Sequence, residues 1–310
     1  MKSLKVAVIG IPGKWSTEVI ADALEQKTGY RLVVDMADVS ADLQTGQLLA
    51  NGVDLCKVDG IVVKKISQQY SPDTLDRIEL LRLAEDSGVR VFTSPEKIVR
   101  MIDRLACTMT LVNGNIPMPP TRVTESIDYA CQTVMEFGEA VFKPLFSTKA
   151  RGMQLLTAQS DEHSLRSAVE VFQAQNKVMY IQQKQDLSGR DFGMIFLGGQ
   201  YIGSYARVSQ NTDWSTVIDK GGKYMPHEPP DSTIELASRA QALFGMDFTT
   251  VDVADTPDGP IVFEVSAFGG FKGAKEGLGI DVAQMYADYV IKNLNLDNSE
   301  NPSPLPQGEG

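Results

Sequence analysis

The chain has 310 residues, 43% of them hydrophobic, with a formal net charge of −11 and a pI of about 4.8. That length can bury a sizeable core and suggests roughly two domains, and the acidic balance argues against general binding to nucleic acid or to an anionic membrane surface. Cys56, Cys107 and Cys131 are scattered and form no Cys-x-x-Cys pair, which excludes a disulfide framework or thiolate zinc site, and two histidines, His163 and His227, are too few for a multi-histidine metal centre.

The apolar run at the N-terminus is too short for a signal peptide and no stretch approaches a membrane span, so a cytoplasmic protein is expected. Leu4 to Ile9 reads as a buried strand ending at Gly10, and Ser16 as the cap of a helix running to Lys27 and stopped by Gly29. Arg31–Val34, Gly60–Val63 and Val89–Phe92 follow as strands, with a helix opened by Ser71-Pro72 and closed by Gly88. Strands alternating with helices predict a small parallel α/β domain over residues 1–94. The loop Gly10-Ile-Pro-Gly-Lys-Trp-Ser16 lacks the glycine spacing of a phosphate loop, and Trp15 stands where that motif needs Ser or Thr, so it reads as a strand-to-helix turn.

Ser94-Pro95 opens a helix whose apolar stripe, Ile98, Ile102, Leu105, Met109 and Val112, has helical spacing, and Ile116 to Thr121 is a proline-stiffened connector. Beyond it the pattern turns to α+β. Helices are expected over 125–137, 161–175 and 231–244, with strands at 140–143, near Leu155-Leu156 and at 178–181. A long hairpin, Asp191–Leu197 and Tyr201–Val208, turns at Gly198-Gly199. His163 is placed on a surface helix and His227 in a loop. A last helix is capped by Asp281, and residues 297–310, with Pro302, Pro304 and Pro306, read as a disordered tail. The second domain is thus expected over 95–296, in two parts divided near 187.

The stretch that concentrates chemistry is Ile261-Val-Phe-Glu-Val-Ser-Ala-Phe-Gly-Gly-Phe-Lys-Gly273, a strand running into a glycine-rich loop, preceded by the strand Thr249-Thr-Val-Asp-Val-Ala254. With a five-residue loop over 255–259, Asp252 faces Val262 and Glu264 lies diagonal to Asp252 on the same face. Diagonal neighbours are roughly 7–8 Å apart, within reach of one magnesium ion that borrows further oxygens from phosphate; two acids on a half-solvated strand would show the same pattern. Lys143 ends an apolar strand, either to neutralise phosphate oxygens or to reach solvent. The loop Ser147-Thr-Lys-Ala-Arg-Gly152, with Lys149 and Arg151, is either a lid that closes over phosphates or an ordinary surface loop. Arg207 is either a contact for a transferring phosphoryl group or a surface arginine. In the simplest register it shares a face with Phe192 and Tyr205 and not with Asp191, so those two charges are not paired.

The order and spacing of these stretches carry a resemblance. From about Phe92 to Leu296 the chain resembles an ATP-grasp domain of the RimK type, the group of ribosomal-protein glutamate ligases and related carboxylate–amine ligases; more narrowly it is similar to the ATP-grasp members of the GAK gene system. The matching stretches include Ile98–Thr121, Ala140-Val-Phe-Lys-Pro144, Tyr180-Ile-Gln-Gln-Lys184, Gly189-Arg-Asp-Phe192, Tyr201–Arg207, Gly221-Gly222, Val251-Asp-Val253, Val262-Phe-Glu-Val-Ser266 and Gly279-Ile-Asp-Val282.

The resemblance implies a small α/β domain followed by a two-part ATP-grasp fold, ATP and Mg2+ as cofactors, and a small-molecule or peptide carboxylate and an amine as substrates; it leaves a homo-oligomer open. It implies that Arg104 and Lys143 contact ATP phosphates, that the main chain near Gln183 and Lys184 holds adenine and that Asp191 holds the ribose. It further implies that Arg207 steadies the γ-phosphate, with Lys149 and Arg151 on the closing loop, and that Asp252, Glu264 and Ser266 stand at the metal positions. The chain departs from the family pattern at Arg104 (usually lysine), Gln183 (glutamate), Gly193 (arginine), Ser215-Thr216-Val217 (a polar triplet with asparagine) and Ser266 (asparagine), and Phe268-Gly-Gly270 replaces the proline that usually follows. Two readings follow: an ATP- and magnesium-dependent ligase acting through an acyl phosphate, or a nucleotide-binding regulator on the same fold. Residues 269–272 are expected to set substrate choice.

Overall fold

The computed structural model describes residues 4–148, 150–208 and 222–300, with side chains as far as Leu296. It divides into two compact units, one of residues 1–67, 79–95 and 281–310 and the other of residues 68–78 and 96–280. Residues 281–310 group with the N-terminal sheet.

The first unit is built on β1 (Val6–Ile9), α1 (Trp15–Thr28), β2 (Val33–Val34), β3 (Ser40–Asp42), β4 (Gln47–Ala50), β5 (Val53–Asp54), β6 (Gly60–Val63), α2 (Asp73–Asp86) and β7 (Arg90–Phe92). The fully apolar β1 and β6 are the inner strands of a parallel sheet ordered β2-β1-β6-β7, as burial on both faces requires. The antiparallel β3-β4-β5 meander was not expected. Its strands are only two to four residues long, and only Leu48 and Ala50 of β4 are buried. The turn after β1 is closed by its own side chains: the Ile11 amide donates to Thr17 Oγ1 at 3.2 Å and the Gly13 amide to Glu18 Oε1 at 2.6 Å. Lys14, not Ser16, is the N-cap of α1.

Besides residues 68–78, the second unit contains α3 (Pro95–Ile102), apart from Pro95, and α4 (Arg104–Asn113). The sequence predicted one helix here. Asp103 splits it, because its carboxylate accepts from the Leu105 amide at 2.8 Å and so caps a new helix instead of continuing the old one. Next come β8 (Thr121–Thr124), α5 (Ile127–Phe137), β9 (Glu139–Lys143), β10 (Gln154–Thr157), α6 (Glu162–Gln175) and β11 (Met179–Gln183), whose strands form an antiparallel sheet ordered β10-β9-β11-β8. Its core is Val134 of α5, Phe142 and Ile181 of the sheet, and Val169 and Phe172 of α6, with the two phenylalanine rings edge to face at 5.3 Å.

A five-stranded antiparallel sheet follows, ordered β14-β13-β12-β15-β16, from β12 (Arg190–Leu197), β13 (Gln200–Val208), β14 (Lys223–His227), β15 (Phe248–Thr256) and β16 (Gly259–Ser266), with α7 (Asp231–Ala242) and α8 (Phe271–Leu278). His227 therefore lies in a strand, stacked 3.7 Å from the Phe192 ring, and not in a loop; Pro226 sits at a sheet edge, where proline is tolerated. The glycine run expected to remain a loop becomes α8 from Phe271 onward. The final helix α9 (Val282–Glu300) packs on the first unit, where the Tyr286 hydroxyl donates to the Phe92 carbonyl and Lys27 pairs with Asp288 at 2.6 Å. It continues through residues 297–300, which were expected in the tail, because the first proline after it is Pro302. Residues 301–310 lie outside the described residues. Among the described residues no helix is long and apolar enough to cross a membrane.

Phe142→Ala, which truncates a fully buried ring, is expected to lower unfolding stability by about 3–5 kcal/mol, measured by urea denaturation. A loss below about 1 kcal/mol would contradict the packing described.

Candidate functional site

Two β-bulges assemble the charged residues. The β12–β13 hairpin starts with Leu197 opposite Gln200 and Phe196 opposite Tyr201, then slips so that Ile195 faces Gly203. The slip places Asp191 directly opposite Arg207, which corrects the uninterrupted register in which the two could not pair. Arg207 Nε lies 3.1 Å from Asp191 Oδ2 and 3.2 Å from Oδ1, and its Nη2 also bonds Oδ2. The acidic hairpin is likewise tighter than predicted. Thr256 pairs with Gly259 across a two-residue loop, and a bulge after Asp252 brings Asp252 directly opposite Glu264. The sequence placed the pair diagonally; the observed register sets it at the closer, cross-strand spacing.

One sheet face then carries a continuous row. Tyr205, Gly193, Asp252 and Glu264 lie opposite one another across β13, β12, β15 and β16. Arg207 and Asp191 flank the row on one side, and Thr250 and Ser266 on the other. Arg207 bridges two acids, with Nη2 3.0 Å from Asp252 Oδ1 as well as on Asp191. Burial works against its charge, but Asp252 and Asp191 outweigh burial and hold the guanidinium protonated well above its ordinary range. Burial raises the Asp252 carboxyl to about 7; Arg207 opposes the rise, and Glu264 and Asp191 add to it.

The second wall comes from the four-stranded sheet and α4. Arg104, the first residue of α4, donates from its amide to the Leu145 carbonyl at 3.1 Å and from Nε to the Pro144 carbonyl at 3.3 Å. Its Nη1 lies 3.0 Å from Glu264 Oε2. A backbone bond from the Val262 amide to the Pro117 carbonyl at 2.9 Å fixes β16 to the connector after α4. Lys143, at the end of β9, bonds the Gln182 side-chain carbonyl and lies 5.3 Å from the centre of the Phe263 ring, the residue left unpaired by the bulge. Burial and then Arg104 push its ammonium down to about 7, against the pull of Glu264. Gln182 is not singled out by the sequence: it is the first of two glutamines that end β11, and only its burial distinguishes it.

The other expected residues fall elsewhere. Gln183 and Lys184 lie at and just beyond the end of β11 remote from Lys143's partner Tyr180. Their amides are already donated, to the Pro120 carbonyl at 2.8 Å and the Glu139 carbonyl at 3.0 Å, and Lys184 Nζ pairs with Glu139 at 2.8 Å. A cavity of about 330 Å³ lined by Phe137, Glu139, Thr157, Gln159 and Lys184 opens at this end. Arg151 is exposed, in a turn closed by the Ser147 hydroxyl donating to its carbonyl at 2.6 Å, and is not brought to the carboxylate row. Lys149, Ser215, Thr216, Val217 and Gly221 lie outside the described residues.

The donor set decides what cation fits. Among the described residues no group of three or more His, Cys, Asp or Glu could enclose a metal by itself. Two opposed carboxylates are nevertheless present, and Asp252 Oδ1 is a buried acceptor with no aligned hydrogen-bond donor, Arg207 approaching it only as an ion pair. That arrangement fits magnesium, which commonly takes one or two carboxylates and completes its octahedron with water and substrate phosphates.

Comparison with known proteins gives the same direction. Residues 101–290 match the RimK-like ATP-grasp domain. Tetrahydromethanopterin:alpha-L-glutamate ligase of Methanosarcina acetivorans is 22% identical over 321 residues, covering 94% of this chain and 99% of the relative. Beta-citrylglutamate synthase B of Danio rerio is 26% identical over 266 residues, covering 85% and 64%. In structure, the ATP-grasp ligase PsnB complexed with a phosphomimetic variant of its minimal precursor, Mg and ADP superposes with a TM-score of 0.74 at 17% identity, over 95% of this chain and 100% of that one. These relatives are ligases and synthetases, which does not favour the regulatory alternative.

Asp252→Asn is expected to raise the thermal stability of the nucleotide-free protein at pH 8. A carboxyl whose folded pKa is raised to about 7 costs stability that grows as pH rises from its unfolded value toward 7 and is constant above. The gain in the variant should therefore shrink as pH falls from 7 toward 4; a variant less stable than wild type at pH 8 would contradict the electrostatics. With the family and the magnesium-compatible acids both in hand, the chain belongs to the RimK-like ATP-grasp family and is an ATP- and magnesium-dependent ligase that joins a carboxylate to an amine.

Proposed function

We propose that the charged face of the five-stranded sheet holds the magnesium-bound triphosphate, with Asp252 and Glu264 as the protein ligands to the metal and Ser266 next to them on the same face. The observation that carries this reading is the Asp252–Glu264 pair, directly opposed across β15 and β16, with Arg207 beside it and a buried carboxylate oxygen lacking an aligned donor. Bound magnesium-ATP would give its γ-phosphoryl group to the substrate carboxylate, forming an acyl phosphate and ADP, and the amine would then displace phosphate and lose a proton.

The chain's own residues then have distinct tasks. Lys143 and Arg104 face the phosphates from the other wall, and an incoming polyanion stabilises the Lys143 ammonium that burial now disfavours. Arg207 offsets charge on the transferring group. Asp191 grips Arg207 through both carboxylate oxygens, so its role here is to orient that guanidinium, in preference to the ribose contact implied by resemblance. The Gln183–Lys184 segment borders the base end, through main-chain carbonyls and not through amides already donated within the sheet. Lys149 and Arg151 remain candidates for a covering loop that keeps water from a hydrolysable intermediate.

The substrates are proposed as a small-molecule or peptide carboxylate and the amine of an amino acid. Names of relatives make L-glutamate the first amine to test.

Glu264→Gln is expected to weaken magnesium-dependent ATP binding by about tenfold or more, a loss seen at metal sites even for outer-shell changes. Calorimetric titration with and without magnesium measures it, alongside ADP release with L-glutamate and a panel of carboxylic acids. Unchanged magnesium-dependent affinity would remove Glu264 from the metal site.

A further inference from the structure

Beside Lys143 lies a buried polar cluster that the roles above leave unused. Tyr180 on β11 stands opposite Lys143 on β9, and Gln182, two residues on, stands opposite Thr121 on β8. Side chains two apart share a sheet face. These groups therefore lie on the face opposite Phe142, Ile181 and the core formed with α5 and α6. Gln182 is 2% exposed and Tyr180 1%, so bulk water cannot replace their partners.

The hydrogen bonds of the cluster have one consistent polarity. The Pro119 carbonyl can only accept, and the Thr121 hydroxyl donates to it at 2.8 Å. Thr121 Oγ1 is then left as the acceptor for Gln182 Nε2 at 3.0 Å. Gln182 Nε2 also donates to the Tyr180 hydroxyl at 3.2 Å, whose own proton is left for Thr108 Oγ1, 3.0 Å away on α4. With both amide protons spent on that side, Gln182 Oε1 is turned toward Lys143 and accepts from its ammonium. The Tyr180 ring also lies 6.0 Å from the Arg104 guanidinium carbon, so one side chain supports both cations of this wall. The connector and α4 thus dictate which end of the amide Lys143 meets.

We propose that Gln182 is a positioning residue for Lys143, its amide polarity set by Thr121 and Tyr180 so that the ammonium is aimed before the nucleotide arrives. The inference rests on the phosphate role proposed above for Lys143 and deepens it by naming what holds that side chain. A lysine carries three donors on a flexible four-carbon stem. One donor stays on Gln182, and the others remain for the phosphates. The rotamer freedom that nucleotide binding would otherwise remove is already lost on folding, which raises affinity by preorganisation.

The test is a double-mutant cycle in the full chain: Gln182→Met, Lys143→Met and both together. Magnesium-ATP affinity is read from the rise in melting temperature with nucleotide concentrations up to the millimolar range. Gln182→Met keeps the length of the side chain and loses both polar ends. It is expected to weaken binding about tenfold, and by less than about twofold when Lys143 is already methionine. A glutamine with a merely structural role would change affinity equally in both backgrounds. Equal loss in both, or no loss in either, overturns the proposal and leaves Lys143 in its role. Wild-type affinity in Lys143→Met overturns the phosphate role of Lys143 and this proposal with it, and failure of wild type to bind magnesium-ATP overturns the nucleotide reading and both. Where Gln182→Met does not fold, Thr121→Val, which removes only the hydroxyl that orients the amide, takes its place in the cycle. A loss of about threefold or more that requires Lys143 then supports the proposal, and any other result overturns it.

Discussion

The register of the five-stranded sheet is the constraint on which the site depends. Side chains alternate across a strand, so a one-residue slip moves every group beyond it to the opposite face. Without the irregularity between Ile195 and Phe196, Arg207 would face Arg190 and leave Asp191 alone; without the one after Asp252, Glu264 would point away from Asp252. With both present, three acids and an arginine converge on one face, at an electrostatic cost seen in the raised Asp252 carboxyl and the depressed Lys143 ammonium. Charges gathered this way suit a ligand that is itself highly charged. In the role proposed above, a divalent cation would relieve the crowded carboxylates, and the phosphates it carries would relieve Lys143, Arg104 and Arg207.

That balance connects the two walls. Arg104 takes its position from the Asp103 cap that starts α4, and reaches both the chain after β9 and Glu264 on β16. The usual lysine of the family would offer one compact charge; a guanidinium can bond a backbone carbonyl and a carboxylate at once. Likewise, Gly193 replaces an arginine usual at that position, and Tyr205 fills the space. In this chain Arg104 reaches Pro144 and Glu264, and Tyr205 packs where position 193 has no side chain.

Much of the fold was legible because its signals are local. The apolar strands β1 and β6 and the Gly198-Gly199 turn each specify their element within a few residues. The candidate acids were legible as carboxylates in apolar strands. The Arg207–Asp191 pair was not, since no residue type marks the bulge that creates it. Neither was α8: Gly273 and Gly277 lower its intrinsic helix propensity, and the packing of Tyr205 beneath them is a tertiary reason for those glycines. The β3–β5 meander was missed because its strands lack the β-branched alternation by which strands are recognised.

The central claim is that the charged face binds the nucleotide through magnesium. Thermal unfolding of the full chain with ATP, with magnesium, and with both tests it most directly. The expected result is a large rise in melting temperature only when both are present, since either alone leaves like charges uncompensated, and a rise that tracks ligand concentration by mass action. An equal rise with ATP in the presence of a magnesium chelator would contradict the account.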